Sequence, residues 1–161
     1  IINFTKLQEK IYEVCDESYA VTIMRRMMYR IAETVAHNYK LLALVSGESI
    51  GQVASQTLNS MQVINQVISL PMIRPLATTD KNDIIAMAKQ LGTYEISIRP
   101  FIDCCTIFDP KNPITKPRIA RAEDLEKRFD YMTFIAECIA QVETIDIDEN
   151  YESNTEDSQY F

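Results

Sequence analysis

The chain has 161 residues, 47% of them hydrophobic and 24% charged, ordinary values for one globular domain able to bury a core. Its formal net charge of −7 argues against gripping nucleic acid unaided. No stretch reads as a membrane span or a signal peptide, and four cysteines without metal-ligand spacing fit a reducing cytoplasm. The charge is uneven. From Glu143 to Phe161 there are seven acids and no Lys or Arg, so 143–161 is expected to be a disordered tail behind a body at 1–142. Ile1 already sits inside an apolar run, and the chain is read as a piece of a longer protein.

Ile1 to Phe4 reads as a strand, and Thr5 as the cap of a helix reaching Cys15, with Leu7, Ile11 and Val14 on its apolar face. A longer helix follows over about Tyr19–Asn38, where Met24, Met27, Met28, Ile31 and Val35 repeat at three- and four-residue steps. Arg25, Arg26 and Arg30 stand on it, Arg26 and Arg30 sharing a face. They are either a solvated face, with Arg30 paired to Glu33, or guanidinium forks aimed at phosphate. His37 lies at the helix end and is assigned no catalysis.

The stretch 41–56 organises the rest. Leu41 to Val45 is unbroken by polar residues and reads as a fully buried strand. It empties into Ser46-Gly47-Glu48-Ser49, and a helix is expected over 53–66, with Val53, Leu58, Met61 and Ile64 inward. Ligands of open α/β sheets bind at such a strand-to-helix junction, where Gly47 lets a ligand approach backbone and helix N–H groups favour an anion. A tight turn with no ligand is the plainer alternative. Gln52 and Gln56 could read a base edge or bond solvent. Neither a Gly-Lys-Ser/Thr phosphate loop nor a GxGxxG fingerprint is present.

Pro71 and Pro75 bracket an extended Met72-Ile73-Arg74. Thr79 and Asp80 start a helix over Lys81–Leu91, with Ile84, Ile85, Met87, Ala88 and Leu91 inward and Gly92 closing it. Ile96 and Ile98 alternate as an outer strand, followed by Asp103-Cys104-Cys105 and a proline-rich loop carrying Lys111, Lys116 and Arg118. Two helices, 120–129 and 131–141, close the body. Cys15 and Cys138 fall on apolar faces and read as buried and inert. Cys104 is expected to turn inward and Cys105 toward the cleft, since extended chain alternates its side chains.

Four stretches together go further: Thr22 to Met28, Ser46 to Gln56, Arg74 to Asp80, and Ile96 to Cys105. In this order and spacing they resemble the carboxyl-terminal half of the tRNA 4-thiouridine synthetase (ThiI) family, over roughly 1–142. The resemblance implies an α/β fold, a parallel sheet flanked by helices of the PP-loop ATP pyrophosphatase (adenine nucleotide alpha hydrolase-like) kind. It implies ATP, accompanied by Mg2+, to adenylate a tRNA uridine, and a cysteine desulfurase to deliver persulfide sulfur that displaces AMP. Sulfur for the thiazole of thiamine is a further implied product. By position, Arg25, Gly47 and Gln56 match the family's ATP-contacting residues, and Cys105 the cysteine that handles sulfur. Asp103 could place a proton there, while Lys116 and Arg118 could lower the thiol pKa.

The family's Ser-Gly-Gly-x-Asp-Ser phosphate cradle, its preceding strands and its tRNA-holding regions are not in this sequence. The expectation is therefore half a nucleotide site, inactive by itself, cytoplasmic, without a resident metal ion or membrane contact, and prone to form a homodimer through uncovered sheet edge. A PP-loop enzyme with another acceptor, or an interaction module that keeps the fold without the chemistry, are the alternatives.

Overall fold

One helix carries the architecture. In a computed structural model describing residues 1–100 and 112–148, α1 (Thr5–Val14) leads into α2 (Glu17–Asn38), against which most other elements pack. Tyr19, Ala20, Ile23, Met24, Met27 and Ile31 form its buried stripe, at the spacing a 3.6-residue period requires. Leu7 and Ile11 of α1, Ala122 and Leu125 of α6 (Ile119–Glu126), and Ile135 and Cys138 of α7 (Tyr131–Ala140) close the same core. Cys15 and Cys138 are both buried there, in keeping with the reading of apolar faces.

The other half is a βαβ unit. Strands β1 (Leu44–Val45) and β2 (Met72–Ile73) pair in parallel, Leu44 opposite Met72 and Val45 opposite Ile73. The crossover between them contains a 3₁₀ turn (Ala54–Gln56) and α3 (Leu58–Asn65). Leu44 donates to Pro71 O and Ser46 to Ile73 O, so Pro71 stands at the strand's start, where its missing donor costs nothing. Glu33 of α2 fixes the approach to β2 by accepting from the backbone of Ser69 at 2.6 Å and Leu70 at 2.9 Å. Arg30 binds Glu126 instead, so the Arg30–Glu33 pair of the solvated-face alternative does not form.

Several local expectations are corrected. Ile1–Phe4 is not a strand; Asn3 Oδ1 accepts from Thr5 N, and the Glu143 N–H donates to Ile1 O. Leu41–Val45 forms only two residues of strand, and Leu42 is 84% exposed and Val45 68%, because the two-stranded sheet gives this segment little to pack against among the described residues. The helix expected over 53–66 is divided at Thr57, whose side chain caps α3 by accepting from Ser60 N at 3.1 Å. Val53 and Leu58 are consequently exposed.

Helix α4 (Lys81–Gln90) starts at the Asp80 cap and ends before Gly92, whose φ of +71° suits glycine. Its apolar face is half-open, with Met87 and Leu91 exposed. The strand expected at Ile96–Ile98 is instead the helical turn α5 (Tyr94–Ser97). Its i→i+4 bonds, Ser97 N to Thr93 O and Ile98 N to Tyr94 O, are available without any partner strand. Residues 143–148 carry no helix or strand, and the rest of the acidic tail lies outside the described residues.

Candidate functional site

Glu48 is the only charged residue between Lys40 and Arg74 in the sequence, and the fold buries it at 5% exposure. It lies where β1 turns away from the sheet, and four donors converge on it. Oε1 accepts from Arg25 Nη2; Oε2 accepts from Tyr29 Oη at 2.8 Å, Ser46 Oγ at 2.8 Å and Arg74 Nε at 2.6 Å. Arg74 Nη2 also donates to Asn65 Oδ1 at 2.6 Å, at the end of α3. The turn is tied down beyond the carboxylate as well: Ile50 N donates to Ala77 O, and Ser49 Oγ to Thr79 O.

Arg25 is what joins the pieces. Its Nη2 holds Glu48, the neighbour of Gly47, and its Nη1 reaches Ser55 Oγ at 3.2 Å, the neighbour of Gln56. Gln56 O in turn accepts from Gly51 N at 2.9 Å and closes the loop between them. Gly47 is exposed, and a Cβ placed on it would meet nothing within 4 Å. Its backbone conformation does not demand glycine, so the missing side chain serves to leave that space clear. Open backbone near a guanidinium can admit an anionic or polar ligand oxygen.

Burial works to raise the Glu48 carboxyl, but the bonds from Tyr29 and Arg74 and the charge of Arg25 outweigh it and hold the group below the ordinary glutamate range. Tyr29 is pushed up by burial and by its bond to Glu48. The carboxylate is ionised at neutral pH, and the phenol remains a donor.

Arg26 and Arg30 look elsewhere. Arg26, only 2% exposed, donates from Nε and Nη2 to both oxygens of Glu126, at 2.6 and 3.0 Å, and from Nη1 to Val63 O. Arg30 binds the same two oxygens at 2.8 and 2.9 Å and lies 4.7 Å over the Tyr131 ring. A cavity of about 290 Å³ lies beside them, and the two guanidiniums that border it are already engaged with Glu126. The phosphate-facing alternative therefore does not hold for Arg26 or Arg30 within this chain.

Asp103 and Cys105 lie outside the described residues. The chain that follows them returns beside the site: Thr57 Oγ1 donates to Thr115 O at 2.7 Å, one residue from Gln56. Lys116 is exposed, and Arg118 is held by its backbone N–H on Tyr19 Oη. The sequence by itself assigns no role to Glu48, Tyr29, Ser55 or Arg74. The available signal was one acid in a 33-residue uncharged run, a residue that must find cationic partners if buried. Among the described residues no cluster of His, Cys, Asp or Glu is placed to hold a metal ion, and no helix is long and apolar enough to cross a membrane.

A parallel βαβ unit with a buried carboxylate, two arginines and open backbone at the strand end makes this an α/β protein, with the cluster at the edge where ligands of such sheets bind. The family described as "Thiamine biosynthesis protein (ThiI)" matches residues 1–131, and the chain belongs to it. A relative from Moorella thermoacetica, named "Probable tRNA sulfurtransferase", is 51% identical over 145 residues, covering 90% of this chain and 37% of its own. One of the same name from Staphylococcus epidermidis is 48% identical over 158 residues, covering 98% and 39%. A crystal structure of a 4-thiouridine synthetase–RNA complex with bound ATP superimposes with a TM-score of 0.82 at 42% identity, over 88% of this chain and 37% of that one. The chain thus spans under two-fifths of the length of these relatives, and the shared fold is consistent with the PP-loop ATPase type.

Proposed function

We propose that this chain is the carboxyl-terminal part of a tRNA sulfurtransferase that uses ATP to activate a tRNA uridine and replaces the activated oxygen with persulfide sulfur, giving 4-thiouridine. The observation that carries this reading is Arg25, which bridges the neighbours of Gly47 and Gln56 and so gathers the three residues expected to meet ATP. The membership in the ThiI family and the ATP and RNA of the related crystal structure support it. ATP supplies the leaving group, as AMP, that makes a uridine oxygen displaceable. Here Arg25 would bind an anionic or ribose oxygen, Gly47 would admit the ligand to the backbone, and Gln56 would offer a paired donor and acceptor.

Cys105 is proposed as the sulfur-handling thiol and Asp103 as its proton-placing neighbour. The tether of Thr115 beside Gln56 supports this by returning the following chain to the same rim. Mg2+ would accompany the nucleotide, a cysteine desulfurase would supply sulfur, the product would also feed thiamine thiazole formation, and the setting would be the cytoplasm. Exposed Leu42, Val45 and Ile73 on a two-stranded sheet support association with further chain or with a second copy.

The test uses the full-length protein that contains this chain, with unmodified tRNA, ATP and a persulfide source. Arg25→Ala is expected to weaken ATP binding, and Cys105→Ser to abolish 4-thiouridine formation while ATP still binds. Normal thiolation by Cys105→Ser would remove that residue from the chemistry. Light scattering that finds only monomer would remove the dimer.

A further inference from the structure

We infer that Glu48 is the positioning residue of the nucleotide site: it grips Arg25 through Nη2 and leaves Nη1 free to exchange Ser55 for an oxygen of the nucleotide. The inference rests on the proposed function in taking Arg25 as a nucleotide contact.

Of the bonds around Glu48 among the described residues, the one from Arg25 to Ser55 is among the longest and goes to a neutral hydroxyl. Arg74 engages Nε on Glu48 and Nη2 on Asn65 and Tyr29, three bonds that fix its fork in place. Tyr29 and Ser46 spend their hydroxyl protons on the carboxylate. Among the described residues Arg25 Nη1 meets a neutral hydroxyl, at 3.2 Å, and a charged or strongly polar ligand oxygen accepts a guanidinium bond better than a serine does. The grip on the other nitrogen fixes where Nη1 points. The Tyr29 ring, 5.9 Å from the guanidinium carbon, restricts it from the side. One carboxylate facing two guanidiniums also leaves net positive charge next to the open backbone of Gly47. Glu48 touches no substrate in this scheme. It acts through Arg25.

The experiment compares Glu48→Gln, Arg25→Ala, their combination and Glu126→Gln in the full-length protein, reading the ATP Kd, the KM and kcat for ATP, and Tm. Glu48→Gln is expected to raise Kd and KM for ATP about tenfold with a smaller change in kcat, because the fork loses its charged anchor. The double variant is expected to bind no worse than Arg25→Ala. Glu126→Gln disturbs the same helix through Arg26 and Arg30, and is expected to lower Tm while leaving the ATP Kd within about twofold.

Equal loss of ATP affinity in Glu126→Gln and Glu48→Gln, or additive loss in the double variant, would show a general packing effect and overturn the inference. If Arg25→Ala binds ATP normally, the nucleotide reading of the site falls and takes this inference with it. If Arg25→Ala loses ATP and Glu48→Gln does not, the positioning role alone is wrong. Should Glu48→Gln fail to fold, Arg25→Lys decides: it keeps the charge without a fork and is expected to bind ATP as poorly as Arg25→Ala. Normal binding by Arg25→Lys would overturn the proposal.

Discussion

Helix α2 supports two buried carboxylates about 100° apart around its axis, and they differ in what they leave open. Arg25 and Tyr29 turn to Glu48, Arg26 and Arg30 to Glu126. Both glutamates meet two guanidiniums and both are held ionised. At Glu126 the four bonds use both oxygens from both arginines, so the cavity of about 290 Å³ beside them meets guanidiniums already engaged with a carboxylate. At Glu48 the cluster sits on a strand-end turn beside an open glycine, and one arginine nitrogen rests on a weak neutral partner. A carboxylate gathering two arginines is therefore not a site by that fact. The weak neutral contact on one arginine nitrogen, beside an open glycine backbone, makes the difference.

The sharpest way to break the comparison is stability. Glu126→Ala leaves Arg26 buried without its counter-charge and is expected to cost about 3–5 kcal/mol in urea unfolding. Replacing Glu126, Arg26 and Arg30 together by apolar residues of similar size should recover most of it. A loss under about 1 kcal/mol in the single variant would mean that the ion pair does not hold α6 to α2. Glu48→Gln is expected to cost less, about 1–3 kcal/mol, because its neighbours lie at a rim where water can replace lost partners.

Acid titration separates the two clusters further. At Glu126 burial opposes ionisation, but the bonds from Arg26 and Arg30 prevail and lower the carboxyl below its ordinary 4.5; Glu48 is lowered likewise. A carboxylate depressed on folding contributes stability that is fully present above the unfolded value and is lost as pH falls through the folded one. Unfolding free energy should be level above about pH 5 and decline below 4.5. Both Gln variants should flatten that decline, Glu126→Gln the more. An unchanged acid limb in Glu126→Gln would contradict the ionised pairing.

Cysteine labelling reports which cluster guards the core. Burial pushes the Cys15 thiol up to about 11 and raises Cys138 as well, so both should resist iodoacetamide at pH 7.5 in the folded protein. Glu126→Ala should speed their labelling and Glu48→Gln should not; the reverse order would exchange the roles given to the two carboxylates. The smallest effect belongs to Lys40, at φ +57° between α2 and β1. Lys40→Gly should stabilise by about 1 kcal/mol or less, with ATP affinity unchanged. A larger change would show that the approach to β1 is itself strained into place.

Local physics made much of this chain legible before any coordinates. The repeat of Met24, Met27 and Ile31 encodes α2, Asp80 and Gly92 bound α4, and Pro71 and Pro75 mark the short second strand, because each signal is complete within a few residues. Arg25, Gly47 and Gln56 come together as a proposed set only through the family resemblance, and the fold links Arg25 to the neighbours of the other two. What the arginines do was not readable. Arg26 meets Glu126 across 100 residues, and Arg25 meets Glu48 across 23, and an ion pair has no period that announces its partner. Tertiary structure alone decided that Glu48 is a hub, and that Ile96 and Ile98, which alternate like a strand, lie in and beside a helical turn with no strand partner among the described residues. Sequence spacing sets which face a side chain is on; only packing decides what stands opposite it.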